Sequence, residues 1–295
     1  MKSLLGSILM LVSLAASAQF DVQAHRGGRA LMPENTIPAM KHAIDLGART
    51  LELDCVISAD KKVVVSHDLY MSADFMRTPE GKDIEKVNEQ SYKLYTMPYD
   101  SIRKYDAGTK PHKDFPKQVK MKTYKPLLSE LIDSVETYVK THHLKPVYYN
   151  METKCSPDGD GTFHPAPDEF VALMMKVIKD KGIQHRVTVQ SFDIRTLQVI
   201  HKLYPEQKLA LLVYGKESFE TNLAQLGFSP DIYSPYSALV TKDLVTTAHH
   251  KNVQVLPWTV NDPQDMQKMI DLGVDGIITD DPEALVKLAG SYQKK

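Results

Sequence analysis

Two histidines, an arginine and two carboxylates fall within a short span near the start of the chain. Ala24-His25-Arg26-Gly27-Gly28 ends an apolar run in a glycine turn, Leu51-Glu52-Leu53-Asp54 alternates apolar and acidic residues, and Ser66-His67-Asp68 follows. Further on, Tyr149-Asn150-Met151-Glu152-Thr153-Lys154 repeats the alternation with a third carboxylate and an ammonium. Side chains alternate across a strand, so Glu52 and Asp54 share one face, as do Glu152 and Lys154. Three inward carboxylates repel one another, and a divalent cation removes that conflict. Oxygen donors without thiolates select a hard ion, Mg²⁺ or Ca²⁺. The alternative is internal ion pairing of these acids with Arg26 and Lys154. A lone histidine is usually a satisfied core residue, but two of them flanking a carboxylate cluster suit proton transfer near neutral pH, which makes His25 and His67 the expected acid and base. Arg26 and Lys154 supply positive charge for an anion with several oxygens, and phosphate fits best because guanidinium binds it bidentately. The set describes phosphodiester cleavage better than sugar or acyl chemistry, and the chain has no Gly-x-Ser-x-Gly elbow.

The surrounding pattern says what must position these groups. Strand-like runs start at Asp21, Thr50, Pro146, Val187, Lys208, Ile232, Val253 and Gly276, the seventh reaching to Val260, and each is followed by a helix-like run. Leu127 to His143, for example, carries Leu128, Leu131, Ile132, Val135 and Val139 at helical spacing. Such alternation implies a parallel sheet with helices outside it, and eight units favour a closed (β/α)₈ TIM barrel over an open doubly wound sheet. No Gly-x-Gly-x-x-Gly follows the first strand, against a dinucleotide fold. In a barrel the active face is formed by the C-terminal strand ends, where His25, Arg26, Glu52, Asp54, Glu152, Lys154, Gln190, Trp258 and Asn261 all fall. Residues 69–118 have weak periodicity and read as an insertion after the second strand, with one or two short helices, covering one edge of the site.

Composition sets outer bounds. With 295 residues and a net charge of −1, the chain shows no bulk charge for nucleic-acid binding. Met1-Lys2, the apolar run from Leu4 to Ala15 and Ala16-Ser17-Ala18 read as a secretory leader over residues 1–18, leaving residues 19–295 as one exported domain, periplasmic or secreted. The apolar run is too short for a bilayer span, which needs about 20 residues, so no stable membrane anchor is expected. Cys55 and Cys155 follow inward-facing residues on adjacent strands; a bridge is conceivable in an oxidising compartment, although parallel neighbours rarely offer the geometry.

Taken in order, these motifs resemble one family. The His-Arg-Gly turn at His25, Pro33-Glu34-Asn35-Thr36, Glu-x-Asp at Glu52, His-Asp at His67 and Glu-x-Lys at Glu152 are similar to those of glycerophosphodiester phosphodiesterases. So are Gln190-Ser191-Phe192, Trp258-Thr259-Val260-Asn261 and Gly273-Val274-Asp275-Gly276-Ile277-Ile278-Thr279-Asp280. The resemblance implies Glu52, Asp54 and Glu152 as ligands of Ca²⁺ or Mg²⁺, His25 and His67 as general acid and base, and Arg26 and Lys154 as phosphate-binding groups. It implies Trp258 as a wall of the pocket for glycerol or the leaving group, a small phosphodiester as substrate, and glycerol 3-phosphate as product. Glu34 and Asn35 read as a loop-and-cap device. The chain departs from the family at Tyr148-Tyr149, at Thr153 and in the loop from Cys155 to Pro167, features expected to touch the pocket wall. The other readings are a phospholipase D-like or phosphoinositide-cleaving barrel, with an apolar rim from Leu69, Tyr70, Met71, Phe75 and Met76, and a barrel that binds phosphorylated ligands without turnover.

Overall fold

The computed structural model describes residues 20–292, so the expected leader lies outside the described residues. In chain order the elements are β1 (Asp21–Ala24), α1 (Ile37–Asp45), β2 (Thr50–Ile57), β3 (Val63–Val65), α2 (Tyr99–Ile102), α3 (Leu128–Thr141), β4 (Tyr148–Thr153), α4 (Pro167–Asp180), β5 (Val187–Ser191), α5 (Ile194–Leu203), β6 (Lys208–Val213), α6 (Phe219–Leu226), β7 (Ile232–Pro235), α7 (Lys242–His250), β8 (Gln254–Val255), α8 (Pro263–Leu272), β9 (Gly276–Thr279) and α9 (Pro282–Tyr292). The strands run in the order β8-β7-β6-β5-β4-β2-β1-β9, parallel throughout, with β3 antiparallel on β2 and off this path. Backbone bonds from Asp275 N–H to Val255 O (3.0 Å), Ile278 N–H to Pro257 O (3.0 Å) and Val260 N–H to Ile278 O (3.1 Å) join the two ends of the sheet. The result is the expected (β/α)₈ barrel.

Local chemistry explains the element ends. Thr36, Asp193, Ser218, Thr241 and Asp262 each accept a backbone N–H at a helix start. Gly227 and Gly273 end their helices in the left-handed region. The seventh barrel strand is shorter than its apolar run from Val253 to Val260, because Pro257 has no N–H to give the ladder.

Two environments divide the barrel. Outward residues such as Leu51, Leu53, Tyr149, Met151 and Val189 share one apolar cluster with the inner faces of the helices, including Leu128, Leu131, Val135, Phe170 and Met174. Full burial of such a side chain contributes about 1.5–3 kcal/mol. Inward residues are polar: Asn150 donates to Gln23 Oε1 (2.8 Å) and Gln190 Oε1 (2.9 Å), and Gln190 Nε2 donates to Glu52 Oε1 (2.8 Å). The β2–β4 register sets Asp54 opposite Glu152, which brings the two acidic strands together at their C-terminal ends.

The insertion has a small core of its own. Met71, Phe75, Met76, Ile84, Leu94 and Ile102 pack on Val56 and Val64, through two short 3₁₀ turns and α2. Met71, Phe75 and Met76 are thus buried and make no apolar rim. Two further expectations are corrected. Tyr149 points outward and donates to Glu136 Oε1 (2.6 Å), while Tyr148 lies at the N-terminal end of its strand, where Arg49 sits over its ring at 5.1 Å. The loop after Lys154 lines none of the cavity beside the acids, and its Asp160 pairs with Arg195 at 2.7 Å. Neither therefore walls the site. Cys55 and Cys155 are both free thiols, Cys55 being fully buried in the outer apolar layer.

The turn after β1 is the tightest point. Arg26, Gly27 and Gly28 have φ of 52, 81 and 85° in succession. A Cβ on Gly27 would stand 2.8 Å from that of buried Ala39. Gly27→Ala should therefore cost about 2 kcal/mol of stability, from the left-handed backbone and the contact together. Urea denaturation at pH 7 checks this; an unchanged midpoint would contradict it.

Candidate active site

The three carboxylates expected to act together do meet. Glu52, Asp54 and Glu152 are all buried, and one oxygen of each lies within 4.8 Å of the others. Glu52 is fixed on both oxygens, accepting from Gln190 Nε2 and from the Arg26 backbone N–H at 2.7 Å. The left-handed conformation of Arg26 aims that N–H. Lys154 Nζ donates to Glu152 Oε1 at 2.7 Å and stands 3.7 Å from Asp54 Oδ1. Burial, then repulsion from Asp54, pushes the Glu52 carboxyl well above the usual carboxylate range. Burial raises Glu152 as well, with Lys154 opposing. At Asp54 burial acts in the same direction, but His67, Lys154 and Arg26 outweigh it and hold the group ionised. Even with these cations nearby, the buried Asp54 Oδ1 has no hydrogen-bond donor. An orphaned carboxylate oxygen among three acids is what a hard divalent ion satisfies, so the residues fit such an ion.

Both histidines reach the same cavity, of about 140 Å³, lined also by Arg26, Arg29, Glu52, Glu152, Lys154, Gln190, Phe192 and Trp258. Each is held through Nδ1 by a carboxylate. His25 Nδ1 lies 2.5 Å from Asp280 Oδ1, and His67 Nδ1 lies 3.0 Å from Asp68 Oδ1. Burial raises Asp280, yet His25 and Arg29 hold it well below the usual range, and Asp68 is likewise held low against burial by His67 and Lys125. Both carboxylates are acceptors, so each imidazole donates from Nδ1 and turns Nε2 elsewhere. Burial lowers His25 to about 4, with Asp280 opposing, so His25 is neutral at pH 7.

Several residues of this network were not among the expected site residues. Asp280 also accepts from Arg29 Nε (2.7 Å) and Asn261 Nδ2 (2.8 Å). Glu34 accepts from Arg26 Nη1 at 3.0 Å. Asn35 donates to Asp54 Oδ2 (2.8 Å) and accepts from the Asp54 backbone N–H (3.2 Å). Only Thr36 of that motif is a helix cap; Glu34 and Asn35 are parts of the site. Buried Lys125 donates to Ser66 Oγ (2.8 Å), which fixes the turn that carries His67. The insertion lines none of the cavity but sits behind it: Arg29 lies 4.9 Å over the Phe115 ring, and Gln118 Nε2 donates to Arg29 O at 2.8 Å. Trp258 also lines the cavity and donates from its indole N–H to Ser234 O at 2.9 Å.

With this geometry in place, likeness to known proteins is decisive. Residues 25–284 match the glycerophosphoryl diester phosphodiesterase family. The chain belongs to that family. A glycerophosphodiester phosphodiesterase of Caldanaerobacter subterraneus subsp. tengcongensis is 32% identical over 272 residues, 90% of this chain and 96% of the relative. A solved structure from Silicibacter pomeroyi, assigned to glycerophosphoryl diester phosphodiesterases, superposes with a TM-score of 0.84 at 28% identity, covering 94% of this chain and 95% of the other. An Oleispira antarctica phosphodiesterase, solved with its product sn-glycerol-3-phosphate, has a TM-score of 0.72 at 22% identity, over 92% and 96% of the chains. The protein is thus an enzyme of the phosphodiesterase class, and the cavity at the C-terminal strand ends is its candidate active site.

The lowered pKa of His25 has a thermodynamic consequence. Between about pH 4 and 6.5 the unfolded chain binds a proton at His25 that the native state refuses. The His25 share of stability must therefore rise with pH across that window, by up to about 1.4 kcal/mol per pH unit, and stay level above it. Urea denaturation of the wild type and His25→Gln in chelator, from pH 4.5 to 7.5, isolates this share as a difference. A pH-independent difference would contradict the burial of His25.

Proposed function

We propose that this family member hydrolyses glycerophosphodiesters to glycerol 3-phosphate and an alcohol, by transfer of protons between His25 and His67 at a phosphate held beside one divalent cation. The observation that carries the reading is a cluster of three buried carboxylates, of which Glu52 and Glu152 line one cavity with two histidines, each ring fixed at Nδ1 by its own carboxylate. The sn-glycerol-3-phosphate held by the Oleispira antarctica phosphodiesterase supports the product assignment.

Glu52, Asp54 and Glu152 would hold the cation, Ca²⁺ or Mg²⁺, and when bound it supplies charge neutralisation at the phosphoryl oxygens. Lys154 and Arg26 add fixed positive charge for the phosphate, joined by Arg29 on the same cavity wall. His25 is neutral at pH 7 and has Nε2 free of Asp280, so it takes the proton of the nucleophile. That nucleophile is water, or a neighbouring substrate hydroxyl that gives a cyclic phosphate first. As the new P–O bond forms, the bond to the leaving oxygen breaks, and His67 gives that oxygen its proton. Asp280 holds the neutral His25 ring with Nε2 free to accept, and Asp68 holds Nδ1 of His67 so that the ring, as an imidazolium, gives up its Nε2 proton. Trp258 walls the leaving-group side. The substrate is a small molecule, and among the described residues no helix is long and apolar enough to cross a membrane. Export through the leader over residues 1–18 belongs to the same proposal; a mature N-terminus at Gln19 is its expected signature.

His25→Ala and His67→Ala should each lower kcat by about a hundredfold or more while the far-ultraviolet spectrum stays native. Glycerol 3-phosphate release from glycerophosphocholine measures this, and near-wild-type turnover in either variant would refute the assignment. Chelation should stop release, and Ca²⁺ or Mg²⁺ should restore it. The same ions should raise Tm in the wild type but not in Asp54→Asn or Glu152→Gln. A Tm shift that persists in both variants would place the ion elsewhere.

A further inference from the structure

The mouth of the barrel carries a feature that proton transfer and phosphate binding do not use. Three of the eight exposed large apolar side chains among the described residues, Phe192, Tyr214 and Tyr236, gather on Trp258. They follow β5, β6 and β7 in turn, and Trp258 follows β8, so four successive strand ends each contribute one ring. Ring centroids lie 5.3 Å apart for Phe192–Trp258 at 85°, 5.8 Å for Tyr236–Trp258 at 55°, and 6.2 Å for Tyr214–Trp258 at 32°. Tyr214 and Tyr236 are 5.2 Å apart at 49°. Phe192 and Trp258 also line the cavity that holds His67, Lys154, Glu52 and Glu152. The cluster therefore opens at one end on the reacting groups and at the other on solvent, where Tyr214 is 66% exposed.

Its composition decides what it suits. An acyl chain would be met by aliphatic side chains, whereas this rim is wholly aromatic, and ring faces carry the negative end of a quadrupole. Elsewhere the chain covers such faces with its own cations, as Arg29 does over Phe115 (4.9 Å) and Lys61 over Tyr95 (5.2 Å). None of the cation–ring pairs among the described residues falls on Phe192, Tyr214, Tyr236 or Trp258. A ligand that fills both ends has an anionic phosphate beside Lys154 and Arg29 and a cation beyond it, among the rings.

We propose that Phe192, Tyr214, Tyr236 and Trp258 form a subsite for a quaternary-ammonium leaving group, so that the choline ester is favoured among glycerophosphodiesters. The inference rests on the reading of the reaction given above and names the head group within it. Three methylated ammonium faces offer several rings a contact at once, which a primary ammonium, more strongly hydrated, does not.

Trp258 is the only tryptophan in the chain, so intrinsic fluorescence reports this subsite without turnover. Choline should change the emission saturably, and its neutral carbon isostere 3,3-dimethylbutanol should not. Tyr214→Leu and Tyr236→Leu should each abolish the discrimination. In hydrolysis, kcat/KM for the choline ester of glycerol phosphate should exceed that for the 3,3-dimethylbutyl ester by about tenfold and fall toward equality in both variants. Equal emission responses to the two ligands, no response to either, or discrimination that survives both substitutions would overturn the proposal. If neither ester is hydrolysed, the reading of the reaction fails, while the fluorescence titration still decides the subsite.

Discussion

Crowding three acids inside a barrel mouth is costly, and much of the structure around them answers that cost. Two unit charges at the spacing of Glu52, Asp54 and Glu152 repel by about 3 kcal/mol at an effective dielectric of about 20. The repulsion is spread over many partners. Lys154 bridges Glu152 and Asp54, Arg26 gives its backbone N–H to Glu52 and stands 3.5 Å from Asp54, and Asn35 and Gln190 complete the donors. Those donors come from four different strand or loop positions, so the acids are tolerable only when the barrel around them is complete. The glycine turn follows from the same need: an N–H can point at Glu52 because Arg26 takes a left-handed backbone, and Gly27 and Gly28 extend that path against α1 and α9.

Charge also sorts the two halves of the site. The acid-rich side rests on β2 and β4, and the base side on β1 and β9, with His25 lying between Asp280 and the cavity. An amide chain from Gln23 through Asn150 and Gln190 to Glu52 joins the two from beneath. Polar groups inside such a barrel orient one another rather than add stability, and their value lies in fixing which oxygen faces the cavity.

Much of this was legible from residue order alone. The eight strand starts, the inward faces of Glu52, Asp54, Glu152 and Lys154, and the placing of His25 and Trp258 at one end all follow from period-two alternation and the geometry of a parallel barrel, whereas His67, after antiparallel β3, was marked by residue type alone. Other parts carry no periodic signal. Asp280 stood in a strand-end motif, and the strand-end test applied to it would have found it, but its role depends on the sheet closing on itself. Glu34 and Asn35 precede a helix, and a cap explains their types so well that their reach to Arg26 and Asp54 is invisible until the turn is folded. The insertion holds together through irregular turns around Met71, Met76 and Leu94, which share no period. Tyr148 and Tyr149 misled because the third-strand motif spans the whole height of the barrel, and its first residues belong to the opposite end from its last.

The hydrogen bond between His25 and Asp280 joins residues 255 positions apart, the first barrel strand to the last. Every residue of the acid cluster, by contrast, lies before Asn150 has been followed by more than a few positions. A chain lacking its final strand would carry all three acids in its sequence but would have no Asp280 to hold His25. Turnover thus becomes a report of ring closure that no single half of the molecule can give.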